Sequence, residues 1–164
     1  MKQNLTNALV KNIVNGVNNK KFMYGFLPGI YHNMNTLIYT YDGYVMYKVE
    51  ADQGFIDYVS KVKQPAVNYD SINKVFTGMN KYIRTTFTYN DLISIKHSGS
   101  NLLQIIHDGY KYCFDPRFLT KFKNSRKYEL NLWVFGFQHG LIVNEYDEHD
   151  DRFDQVALIM GVLT

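Results

Sequence analysis

The sequence predicts an α+β fold dominated by antiparallel strand: two helix-plus-three-antiparallel-strand halves joined by an irregular connector. Three observations carry that expectation. Fourteen Tyr and eleven Phe stand against a single Trp, and aromatic side chains of this kind pack well on a pleated, half-buried surface. Asp42-Gly43 and Asp108-Gly109 each precede a Tyr-led apolar run, the signature of a tight hairpin whose central residues both need positive φ. Two short amphipathic patterns, one near the start and one after Pro116, are each followed by three strand-like runs.

In order along the chain, Leu5, Ala8, Leu9 and Ile13 recur at three- and four-residue spacing and predict a helix that Asn4 caps and Gly16 ends. Strands are expected at 26–31, 36–41 and 44–49, with turns at Asn33-Met34-Asn35 and Asp42-Gly43. The pattern then weakens. Phe55, Tyr58, Val59 and Val62 suggest a short helix, while Pro65, the Asn68-Tyr69-Asp70-Ser71 cluster and Gly78 read as an irregular crossing. Thr85, Phe87 and Tyr89 alternate with polar neighbours and predict a strand at 83–89. Further strands are expected at 102–107 and 110–114. Asp115-Pro116 starts a second helix carrying Phe118, Leu119 and Phe122 inward, because Asp caps and Pro is tolerated at the first helical position. Runs at 128–135, 141–146 and 155–163 complete the strands. This organisation makes the chain one domain, 1–164, with halves at about 1–50 and 108–164 and the connector and extra strands at 51–107.

The totals fit that reading. A chain of 164 residues with a 46% hydrophobic share can bury one core without staples. The 18 Lys and Arg against 15 Asp and Glu permit nucleic-acid binding without demanding it. The single Cys113 leaves no internal disulfide and no multi-cysteine metal site, and fits a reducing compartment. No run approaches the roughly 20 apolar residues of a membrane helix. The polar N-terminal helix does not resemble a signal peptide, so a cytoplasmic protein without a membrane is expected.

Several segments resemble bacterial DNA sliding clamps, the β subunit of replicative polymerase. Leu27-Pro28-Gly29-Ile30 followed by Leu37-Ile38-Tyr39-Thr40-Tyr41-Asp42-Gly43-Tyr44 and Lys48-Val49-Glu50 looks like the clamp segment in which a strand ends in Thr-Asp-Gly. Asn68 to Phe76 is similar to the family's Phe-Pro-Asp-Tyr region. Phe114-Asp115-Pro116-Arg117-Phe118-Leu119 sits where clamps begin their last helix, and Val156 to Leu163 resembles their closing strand. The family's terminal Met-Pro, apolar residue, Arg and Leu are not kept: Gly161 replaces the Pro, Leu163 stands at the Arg, and Thr164 follows. The resemblance implies a clamp-like domain whose helices face double-stranded DNA, a homo-oligomeric ring, and a groove for replication proteins.

The implied DNA-facing residues are Lys11, Lys20 and Lys21 around the first helix and Arg117, Lys121, Lys123, Arg126 and Lys127 around the second, with Lys111 nearby. Such cations meet backbone phosphates without reading sequence. The implied partner groove is Met160, Val162 and Leu163, with Gly161 standing at the family's Pro. The acidic run Glu145, Asp147, Glu148, His149, Asp150, Asp151 and Asp154 fails the EF-hand register, since Arg152 and Leu158 stand where Gly and Glu are needed, and it reads as a solvated loop. His32, His97, His107, His139 and His149 are scattered, Cys113 lies in an apolar strand, and no phosphate-cradling loop or nucleophile elbow is present. The sequence therefore names no catalytic residue, metal ligand or cofactor. It predicts a non-enzymatic clamp-like protein that binds DNA without sequence preference or docks replication proteins. The alternative is an inhibitor or decoy of viral or mobile-element type that uses the scaffold to bind a host protein, and a small hydrolase or nuclease using the acidic run with a metal is a third.

Overall fold

A computed structural model describes residues 29–40, 43–61 and 68–164. The expected first helix with Lys11, Lys20 and Lys21, the start of the first strand, Asp42 and Val62 lie outside the described residues. The chain forms two compact units that meet in sequence at Gly78 and Met79.

In the first unit, β1 (Gly29–Asn33), β2 (Thr36–Thr40) and β3 (Val45–Glu50) form an antiparallel meander. Ile30, Tyr31, Leu37, Ile38, Tyr39, Val45, Met46, Tyr47 and Val49 are buried. Neighbouring side chains point to opposite faces of a strand, so these consecutive runs are strands covered on both faces. Two helices follow. Asp52 caps α1 (Gln53–Ser60) by accepting the Phe55 N–H at 2.8 Å, and Ile56 and Val59 are buried. The Asn68 side chain accepts the Ser71 N–H at 2.9 Å at the start of α2 (Tyr69–Gly78), whose buried Ile72 and Phe76 are one turn apart. The Asn68-Tyr69-Asp70-Ser71 cluster is thus a helix start and not an irregular crossing. Asn and Ser favour caps and turns by the same side-chain hydrogen bonds, so the residues alone do not separate the two.

In the second unit, a four-stranded antiparallel sheet runs in the order β10 (Arg152–Met160), β9 (Gln138–Asp147), β8 (Tyr128–Phe135) and β4 (Ile83–Phe87). A three-stranded sheet holds β5 (Ile93–His97), β6 (Ser100–His107) and β7 (Tyr110–Phe114). An isolated bridge joins Cys113 to Val162. Both hairpins of the smaller sheet use two positive-φ residues: Ser98 at 49° with Gly99 at 82°, and Asp108 at 49° with Gly109 at 79°. This is the twist-matched geometry that Asp-Gly favours. Leu130, Leu132, Trp133, Leu141, Ile142, Val143 and the run 156–159 supply the core.

The two-halves fold class is overturned. Strand dominates the described residues, and no half built of a helix followed by three strands is seen among them. The short helix expected near Phe55 and the strands expected at 83–89 and 102–107 are present as α1, β4 and β6, whereas the expected irregular crossing holds α2, and β5 was not expected. The helix expected after Asp115 is also absent. Residues Pro116–Phe118 and Thr120–Phe122 form two single 310 turns. Their hydrogen bonds reach three residues back, from Phe118 N to Asp115 O at 3.2 Å, Leu119 N to Pro116 O at 3.1 Å and Phe122 N to Leu119 O at 3.0 Å. Leu119 and Phe122, three residues apart, are both fully buried, which suits the three-residue turn in which such side chains eclipse. Asn124 then closes another turn by accepting from the N–H groups of Lys127 and Tyr128.

Candidate nucleic-acid interface and aromatic cleft

The 310 turns place the expected basic residues on one surface segment. Buried Leu119 and Phe122 pin it, while Arg117, Lys121, Lys123, Arg126 and Lys127 are exposed. No acidic residue occurs in 116–128. Asp115 fixes the entry by accepting the Arg117 N–H at 2.9 Å, and its carboxylate takes a forked contact from the Arg117 guanidinium at 3.1, 3.0 and 2.6 Å. The Arg117 hydrogen bond, with its charge, outweighs partial burial and holds the Asp115 carboxyl below the usual carboxylate range. Arg117 is therefore largely neutralised locally. The Lys123 ammonium lies 5.7 Å from the Tyr89 ring centre and the Lys127 ammonium 5.4 Å from that of Tyr128, close enough for cation–π attraction to steady both stems. Burial lowers the Lys121 pKa from its ordinary value. Asn90 donates to Ser125 Oγ at 3.1 Å and ties the turn after β4 to this segment.

A second feature is a cleft of about 410 Å³ lined by Arg84, the β6–β7 turn, Tyr110, Tyr112 and the β8–β9 turn. Its rim is aromatic and exposed: Phe137 is 96% and Tyr110 68% accessible. Gly136, at φ 59°, makes the turn that lifts Phe137 out. The lining carries charge of both signs, from Arg84 and from Asp108, which pairs with His107 Nε2 at 3.3 Å. At the floor, the buried His139 ring has Nε2 3.0 Å from the Cys113 carbonyl, which fixes Nε2–H as donor. The ring packs edge-on against Tyr112 and Phe114 at centroid distances of 5.2 and 5.4 Å. Burial lowers the His139 pKa, more than the Cys113 hydrogen bond raises it.

No protein-family model, curated protein or solved structure matches this chain. The functional reading rests on the residues themselves.

The remaining sequence candidates are dispersed. Met160 ends β10, Val162 bridges to Cys113, and Leu163 is 71% exposed beyond the strand. The acidic run spans the β9–β10 hairpin, where Arg152 pairs with Asp150 at 3.5 Å and Asp154 at 3.0 Å, the Tyr146 hydroxyl donates to Asp151, and Asp147 accepts the His149 N–H at 2.9 Å. These bonds are internal to a turn. Among the described residues no group of three or more His, Cys, Asp or Glu side chains is gathered as for a metal ion, and no helix is long and apolar enough to cross a membrane. Sequence reasoning missed the cleft. Its one visible signal is Phe135-Gly136-Phe137, two large rings flanking a turn glycine where polar residues are the norm.

Proposed function

We propose that this protein binds nucleic acid without sequence preference and performs no chemistry on it, using the 117–127 segment to meet backbone phosphates. The single observation behind this reading is the set of five exposed cations on a pinned segment that holds no carboxylate after Asp115. Cations so placed neutralise phosphates and release counterions, and affinity then falls steeply with salt. The ring contacts of Lys123 and Lys127 matter because they restrain those two stems, so less side-chain freedom is lost on binding. Binding of this kind needs no ring around the nucleic acid.

The test is fluorescence anisotropy with a labelled duplex across a salt series. With Arg117 held by Asp115, the four cations Lys121, Lys123, Arg126 and Lys127 predict a slope of about −3.6 in log affinity against log salt, at ~0.9 per phosphate neutralised. The Lys121→Ala/Lys123→Ala variant is expected to reduce that slope by ~1.8. An unchanged slope in the variant, or no binding at low salt, refutes the reading.

A further inference from the structure

The cleft has a chemistry that phosphate binding leaves unused. We infer that it is a stacking site for a nucleobase, and that the preferred nucleic acid is consequently single-stranded. The inference rests on the proposed function for its polymer and on the cleft alone for its base. Three features select the ligand. Tyr110 and Phe137 both line the cleft and are both largely exposed, and large apolar groups left in water around a cleft mark an interaction site. The ionic groups of the wall balance, Arg84 against Asp108, so neither a phosphate nor an ammonium is favoured by charge, whereas a neutral ring is. The rim also carries both hydrogen-bond donors and acceptors, in Arg84, Asp108 and Gln138, which is what the edge of a nucleobase presents in return. His139 is already engaged by the Cys113 carbonyl and serves as floor.

The cleft lies within reach of the basic segment along one strand. Tyr128 follows the segment directly and Val134 lines the cleft, so six residue steps along β8 separate them, or ~20 Å at the rise of an extended strand. A chain of stacked nucleotides advances ~3.4 Å per residue, so an oligomer of about twelve nucleotides, within the range of single-strand site sizes, spans both. In a duplex the bases are paired inside the helix and cannot enter.

The experiment compares a labelled single-stranded oligomer of about twelve nucleotides with its duplex, on the wild-type chain, on Tyr110→Ala/Phe137→Ala, and on Lys121→Ala/Lys123→Ala. The two aromatic side chains are exposed, so their removal leaves the core intact. The aromatic variant is expected to lose at least about fivefold in single-strand affinity with duplex affinity unchanged. Equal single-strand affinity in wild type and aromatic variant overturns the inference and leaves the exposed rings to a protein partner. If that happens while the lysine variant still weakens binding, the proposed function survives and only the stacking site falls. The reverse pattern upholds the cleft and removes the basic segment. A mononucleotide that displaces the oligomer at micromolar concentration overturns the single-strand assignment in favour of a free nucleotide.

Discussion

Replacing Gly161 with Ala tests the floor of the cleft from behind. A Cβ on Gly161 would lie 2.2 Å from His139 Nε2, 2.3 Å from Cδ2 and 2.8 Å from the His139 carbonyl oxygen. The backbone cannot withdraw easily, because Gly161 N–H donates to that same carbonyl at 2.7 Å and Val162 N–H to the Cys113 carbonyl at 2.8 Å. The imidazole must move instead. Overpacking of a filled core costs ~1–3 kcal/mol, and tearing the ring from the Cys113 carbonyl adds ~1–3 kcal/mol for the buried imidazole N–H left unpaired. The expected destabilisation is therefore about 2–6 kcal/mol, read as a fall in urea midpoint at constant m-value. Because the clash is with one side chain, a His139→Ala/Gly161→Ala pair should cost clearly less than the sum of its singles. A loss below about 0.5 kcal/mol, the level of an ordinary surface change, or strict additivity of the two substitutions would refute the reasoning. It would mean that the imidazole is free to swing and is no fixed floor.

Two other outcomes follow from the same region. Burial holds the His139 imidazole neutral below its ordinary value of 6.5, so the unfolded chain takes up a proton first as pH falls. Its stabilising contribution is complete above pH 6.5 and declines as pH drops from there toward the folded value; denaturation of His139→Gln across that window should lack this component of the acid slope. Cys113 is 2% exposed, with Gln104 Nε2 3.6 Å from its sulfur. A thiol reagent is expected to label it on the order of 10³-fold or more slowly in buffer than in denaturant, and rapid native labelling would show that β7 opens locally.

The strand content was legible where the chain uses local chemistry. The Asp108-Gly109 hairpin follows from two residues whose backbone preferences match the turn, and β1 to β3 follow from their apolar runs. What failed was anything decided by competition. After Asp115, the spacing of Phe118, Leu119 and Phe122 suits an α-helix, yet the Leu119–Phe122 pair is satisfied by three-residue turns and Asn124 interrupts propagation; a helix this short has too few hydrogen bonds to offset its nucleation cost. At Asn68 the error ran the other way, since a capping side chain looks like a turn former until the buried Ile72 and Phe76 are counted. The basic segment was visible as composition. The cleft was not, because Arg84, Tyr110 and Phe137 come from three separate elements, with Tyr110 on a different sheet from β4 and β8.

The partner of β4 is distant in the chain: Ile83 pairs opposite Trp133 and Phe87 opposite Leu130. On a ribosome adding ~5–20 residues per second, the roughly fifty residues between Ile83 and Trp133 keep the earlier strand waiting for ~2–10 s. Throughout that interval its backbone groups are open to any other extended chain. The β5–β6–β7 hairpins, whose turns are two residues long, can close long before, so the nascent second unit carries one finished sheet and one unpaired edge. Chaperone demand for this protein should accordingly peak during synthesis of 88–128, and drop once β8 emerges.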